Sequence, residues 1–241
     1  MRKRKENYLN IKVKYKLLEL YASLYKSIRI YIRYPVWIIS DFITTPLWII
    51  TLLIPLLLFL PYKEWKNPIT YQYFYWGMIG WSIISTSLWG FGMSLRREQQ
   101  MGTLEYLYIT NTNRIILQIG DTLRRLLMSI IELVYMAVII QALFNTPIYI
   151  NNPIMVLISF LGSYLICMGF GILYGAITLE IKNPGPLINI LQFILLGLSG
   201  AFYSVMKLPP IIQLIALIIP FTYSFDIIRY YAFNELSLIH I

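Results

Sequence analysis

The stretch VWIISDFITTPLWIITLLIPLLLFL, residues 36–60, carries a single charge, Asp41, and is flanked by Pro35 and Pro61. A helix needs about 20 apolar residues to cross roughly 30 Å of hydrocarbon, so this run is long enough to span a bilayer. Four further runs read the same way: 71–95, 126–144, about 154–179 and about 187–206. Composition agrees. Of the 241 residues, 58% are hydrophobic and 13% charged, with a mean hydropathy of +0.65. A soluble domain carries roughly 25% charged residues. The expectation is an all-α polytopic membrane protein with five spans.

The run 208–225 is apolar but interrupted by Pro209, Pro210 and Pro220. Each proline removes a backbone donor. A straight span is therefore disfavoured, and a re-entrant hairpin is expected, with its backbone satisfied by protein or water.

Charge sets the orientation. Residues 1–34 hold ten Lys and Arg against Glu6 and Glu19, which gives most of the net charge of +9. With the N-terminus in the cytoplasm, the segments 1–34, 96–125 and 180–186 are inside and hold sixteen basic residues; the outside segments hold four. Cytoplasmic loops of membrane proteins are enriched in Lys and Arg, so the N-terminus is expected inside and the proline-broken hairpin outside. Residues 16–33 place Leu17, Leu20, Tyr21, Leu24, Ile28 and Tyr31 at helical spacing, with Lys26, Arg29 and Arg33 off that stripe. Such a helix suits the inner leaflet, with its bases among anionic headgroups. Membrane lipid, not nucleic acid, is the partner this basic block calls for.

Polar residues inside the runs are few. Asp41 and Glu132 are the ionisable ones, and ionisable groups in a span default to a functional reading such as a proton or ion path. Asp41 lies close to the inner end of its run, where a structural role competes with that reading. Glu132 lies deeper, and pairing with a basic group or facing a dimer cleft competes there. Gly171 and Gly175 form G-x-x-x-G, which either lets two helices approach closely or merely fits a crowded bundle. The lone cysteine, Cys167, sits in an apolar run and reads as a small buried hydrophobe. Neither a cysteine cluster nor any other metal-ligand spacing is present.

The stretch REQQMGTLEYLYIT, residues 97–110, falls between the second and third runs and reads as a short cytoplasmic helix, with an ordinary solvated loop as the alternative. Met101, Leu104 and Tyr108 share one face of it, and Glu98, Gly102 and Glu105 a neighbouring face. This segment resembles the E-x-x-x-G-T-L-E-x-L-x-x-T segment of ABC-2 type transporter permeases. Near the other end, Gly200, Phe202, Leu208, Pro209, Pro220, Tyr223 and Arg229 are similar to that family's hairpin signature. Arg33–Pro35 opening the first run is a weaker match. Asn111 and Tyr203 stand where the family often has proline.

The resemblance implies six spans, an N-terminal interfacial helix and an external hairpin before the last span. It implies a permease homodimer or heterodimer on separate ABC ATPase subunits, in the plasma membrane, moving a hydrophobic or amphipathic substrate outward; the richness in Ile, Lys, Asn and Tyr separately points to an AT-rich prokaryotic genome. Glu98, Gly102, Thr103, Leu104 and Glu105 would form the coupling region. Glu98 and Glu105 would offer charge to the ATPase groove, Gly102 a close backbone approach, and Leu104 a seat for the helix. The sequence holds no G-x-x-x-x-G-K-[ST] and no Gly-Lys pair. ATP and magnesium would therefore be bound by the partner, and this chain would carry no cofactor and no enzyme site. The alternative from a different class is a proton-coupled carrier or membrane enzyme using Asp41 and Glu132.

Five spans and an external hairpin would leave the sixth span missing. The last residues, LSLIHI at 236–241, are the frame translation of CTGTCTCTTATACACATC, a transposase adapter end. Residues 1–235 are thus expected to form one truncated transmembrane domain and 236–241 an adapter-derived tail, with no role for His240.

Overall fold

The computed structural model describes residues 2–109, 113–181 and 183–234. Thr110, Asn111 and the LSLIHI tail with His240 lie outside the described residues. Helices make up nearly all of what is described, and no strand occurs among these residues. They are α1 (Arg2–Arg33), α2 (Pro35–Phe59), α3 (Pro68–Ser85), α4 (Ser94–Gln100), α5 (Leu104–Ile109), α6 (Arg114–Phe144), α7 (Pro153–Glu180), α8 (Gly185–Leu198), α9 (Pro210–Ala216) and α10 (Pro220–Phe233). A π-helical turn, Thr86–Gly92, follows α3 directly.

Local chemistry sets the helix starts. Asn67 and Asn152 cap α3 and α7 by accepting from the N–H groups of Ile69 and Met155, at 3.1 and 3.2 Å. Pro68 and Pro153 follow at the first helical position, where a missing N–H costs nothing.

Among the described residues, three helices are long and apolar enough to cross a membrane: Ile38–Phe59, Ile116–Phe144 and Pro153–Glu180. The pair α9 and α10 would add a fourth if it forms one span, but it bends by 97°. The expected count of five is not confirmed by helix length and composition, and two features account for the difference. The second run is rich in Tyr and Trp, and its α-helix gives way to a π-turn after Ser85. The fifth run keeps only 14 helical residues, because the chain turns at Ser199 and Gly200. At 1.5 Å per residue that helix measures about 21 Å, short of the hydrocarbon thickness. The break between α9 and α10 falls at Pro220, which opens α10.

The chain gathers into two compact units. One holds Met1–Thr45 and Glu98–Ile131; the other holds Pro46–Arg97 and Glu132–Ile241. In the first unit, α1 crosses α6 closely. Ser23 is buried and its hydroxyl donates to the Leu117 carbonyl at 2.8 Å. A Cβ on Gly120 would overlap the Ser23 side chain. Leu20, Leu24, Ile28 and Tyr31 are half-buried, while Leu17 and Tyr21 are exposed with Lys26, Arg29 and Arg33. The sequence stripe is therefore split between this unit and its surroundings.

The second unit has its core along one side of α7. Val156, Phe160, Tyr164, Cys167, Gly171, Tyr174, Gly175 and Thr178 are buried at helical spacing. The opposite face leaves Leu157, Leu161, Leu165 and Leu173 exposed. So continuous an apolar face is untenable in water and natural in lipid. Gly171 and Gly175 resolve the choice their spacing left open. A Cβ on Gly171 would lie 2.5 Å from the Ser87 carbonyl oxygen, and one on Gly175 3.4 Å from that of Gly92. The glycines thus receive the π-turn of the same chain. Around that contact the Ser87 hydroxyl donates to the Cys167 carbonyl at 2.8 Å, and the Thr178 hydroxyl to the Gly92 carbonyl at 3.0 Å.

Candidate functional site

The segment expected to be one helix is two. α4 ends and α5 begins across Met101–Gly102–Thr103, because Gly102 adopts φ +68°. The Gly102 N–H donates to the Gln99 carbonyl at 3.2 Å and the Thr103 N–H to the Glu98 carbonyl at 3.0 Å. This pair of bonds is the Schellman cap, in which a left-handed residue closes the last carbonyls of a helix. Thr103 reinforces it: its hydroxyl donates to the Glu98 carbonyl at 3.2 Å and to the Glu98 carboxylate. A single helical face through Met101, Leu104 and Tyr108 is therefore lost. The signal for the break was present in the sequence, as a glycine closing a polar helical run.

Glu98, Gly102 and Thr103 thus come together as one folded corner. Glu105 stands in the first turn of α5, where the helix dipole favours an acid. Glu105, Met101, Tyr106 and Ile109 are exposed. Of Leu104 the backbone alone is described. Gly102 has open space around the position of a Cβ, so within this chain the glycine serves its backbone angle and not a close approach. On the other side of α4, Arg97 donates to the Gly90 carbonyl at 3.0 Å and Ser94 to that of Phe91 at 2.7 Å. These carbonyls belong to the π-turn, where the helical ladder is irregular.

The residues near the other end form a second built region. Gly200 also has φ +68°, and its Cβ would meet Val205 and lie 2.9 Å from the Tyr203 carbonyl oxygen. The guanidinium of Arg229, buried in α10, donates to the Gly200 carbonyl and sits 3.8 Å from the Asp226 carboxylate. Phe202 lies against Gly77, and its ring is 6.2 Å from that of Phe74. Leu208 and Met206 accept from the Gln213 amide at 2.8 and 2.9 Å, and Pro209 precedes α9. At the 97° bend, Thr222 donates to the Ala216 carbonyl and Tyr223 to that of Leu217, both at 2.7 Å. Side chains of α10 thereby close the orphan carbonyls that end α9. Pro220 starts α10 without losing a bond.

Comparison with protein-family models gives a match to the ABC-2 type transporter family over residues 19–233. The chain belongs to this family. It is a multi-pass membrane component of ABC-type transport, from a family of permeases that carry no ATPase site of their own and work with an ABC ATPase. No curated protein and no solved structure matches it.

Asp41 and Glu132 of this ABC-2 permease have separate partners. Asp41 is exposed, and one carboxylate oxygen accepts from the Tyr31 hydroxyl at 2.9 Å. Glu132 is half-buried and accepts from the Ser82 hydroxyl at 3.0 Å. Next to it, the Tyr75 hydroxyl donates to the Leu133 carbonyl at 2.9 Å. Among the described residues no group of three His, Cys, Asp or Glu is placed to hold a metal ion.

Proposed function

We propose that this chain is the export permease of a split transporter, driven by a separate ATPase that docks on the α4–Gly102–α5 corner. The observation that carries the reading is that corner's build. Glu98 and Thr103 fold it, and the fold leaves Glu105, Met101, Tyr106 and Ile109 exposed together with a full charge among them. An acidic, partly apolar helix end of this kind can seat in a complementary groove and transmit a push, which a limp loop cannot. Glu98, Gly102 and Thr103 are then the shaping residues, while Glu105 and the neighbouring Leu104 meet the ATPase.

In this reading ATP and magnesium are bound by the partner. ATP draws two ATPase subunits together, and two permease chains move with them. The N-terminus and the corner are cytoplasmic, the α9–α10 bend faces outward in the plasma membrane, and the cargo is hydrophobic or amphipathic. The exposed Leu face of α7 gives lipid the surface it needs. The engagement of Asp41 by Tyr31 and of Glu132 by Ser82 favours structural duty for both carboxylates over a proton path.

The test is Glu105→Arg in the reconstituted complex. Like charges brought together at an interface cost several kcal/mol, so affinity for the ATPase should fall by at least about tenfold while membrane insertion stays intact. An ATPase that binds the variant as tightly as wild type would sink the docking assignment.

A further inference from the structure

The joint between α1 and α2 is one residue long. α1 ends at Arg33, α2 begins at Pro35, and Tyr34 alone lies between. Pro35 sets its own φ and narrows the choices of Tyr34, whose N–H donates to the Tyr31 carbonyl at 3.3 Å. Yet a single linking residue leaves two long helices a short lever, and a tie between their side chains stiffens their angle further. Tyr31 supplies it. Its hydroxyl reaches across the joint and donates to the Asp41 carboxylate at 2.9 Å, ten residues on. Its ring carries a second tie, since the Arg124 guanidinium carbon stands 5.3 Å from the ring centroid. Such a cation over an aromatic face is attracted by the ring quadrupole.

Arg124 is itself held in place. Its Nε and Nη2 donate to one oxygen of Asp121 at 3.2 and 3.1 Å, while Arg125 takes the other oxygen at 2.8 Å. One tyrosine thus joins α1 to α2 through its hydroxyl and both to α6 through its ring. Tyr31, Asp41, Asp121 and Arg124 all lie in the unit made of Met1–Thr45 and Glu98–Ile131, which also holds the Gly102 corner.

We propose that Tyr31 is a positioning residue for energy coupling: bridging Asp41 and Arg124, it braces the α1–α2 joint against the first turns of α6, so that displacement of the corner is passed to the start of α2. This deepens the split-transporter reading and rests on it. Asp41 receives a mechanical role, and no chemistry at the carboxylate is required.

Two measurements test it. The first is ATP turnover of the complex in phospholipid vesicles, relative to the ATPase subunit alone, for wild type, Tyr31→Phe, Asp41→Ala and the double variant. Tyr31→Phe keeps the ring over Arg124 and loses only the hydroxyl, and one hydrogen bond is worth roughly fivefold in an equilibrium. Permease-dependent turnover should drop by about that factor, with assembly of the complex unchanged. Asp41→Ala should do the same, and the double variant should be no lower than either single, as two groups acting through one contact require. Unchanged turnover in Tyr31→Phe, or losses that multiply in the double variant, would overturn the proposal. The second measurement needs no ATPase. Spin labels at Val13→Cys and Ile43→Cys, in a Cys167→Ala background, report the joint directly. A narrow distance distribution should broaden on adding Tyr31→Phe, and equal widths refute the brace. If wild type fails to stimulate any ATPase while the widths differ, the split-transporter reading fails and the coupling role with it, leaving only the joint.

Discussion

Gly102 and Gly200 adopt the same backbone angle, φ +68°, in opposite surroundings. Around Gly102 there is open space. Around Gly200 the Val205 side chain and the Tyr203 carbonyl occupy the place a Cβ would take, and the Arg229 guanidinium holds its carbonyl. One turn is open to its surroundings; the other is already filled from within. The difference teaches that a glycine in a family motif can mark either a surface corner or a packed joint, and that only the neighbours tell which.

The comparison breaks most visibly at Gly200→Ala. The substitution adds left-handed strain, about 1–2 kcal/mol, to an overpacking cost of about 1–3 kcal/mol. Resistance to unfolding by dodecyl sulfate in micelles should fall by about 2–5 kcal/mol in all. A loss below 1 kcal/mol would mean the joint yields and the contrast is false. Gly102→Ala should cost only the strain, about 1–2 kcal/mol, and should act locally. The micelle transition should shift little, while amide exchange at Gln99 and Thr103 speeds up as the cap loosens. A shift as large as that of Gly200→Ala would show that the corner is packed after all.

Much of this architecture was legible in the residues. Pro209, Pro210 and Pro220 announce a broken helix, since no proline can donate to the turn before it, and the chain bends there. The G-x-x-x-G of α7 announces a close approach, although spacing alone could not say whether the partner was another chain or the π-turn. Two features were not legible, and the signal for a third, the break at Gly102, is outvoted by periodicity. The π-turn at Thr86–Gly92 keeps an apolar helical pattern, so nothing in the composition separates it from the α3 that it extends. The length of α8 depends on the angle at Gly200, which is set by Val205 and Arg229 through packing. The corner was read as one helix because Met101, Leu104 and Tyr108 satisfy helical spacing on paper. Two backbone bonds to Glu98 and Gln99 outweigh that periodicity. Among the expected site residues, Glu98 and Thr103 proved to be bonded to each other, which neither charge nor position had indicated.

The central claim is that the Gly102 corner is where an ATPase meets this permease. The most direct measurement is photo-crosslinking from a benzophenone amino acid at Tyr106, with Leu173 on the exposed face of α7 as the control. The account predicts a Tyr106 adduct whose peptides carry a G-x-x-x-x-G-K-[ST] ATPase, strengthened by a non-hydrolysable nucleotide, and none from Leu173. A Tyr106 site that gives no ATPase adduct, or one that labels no better than Leu173, would contradict it.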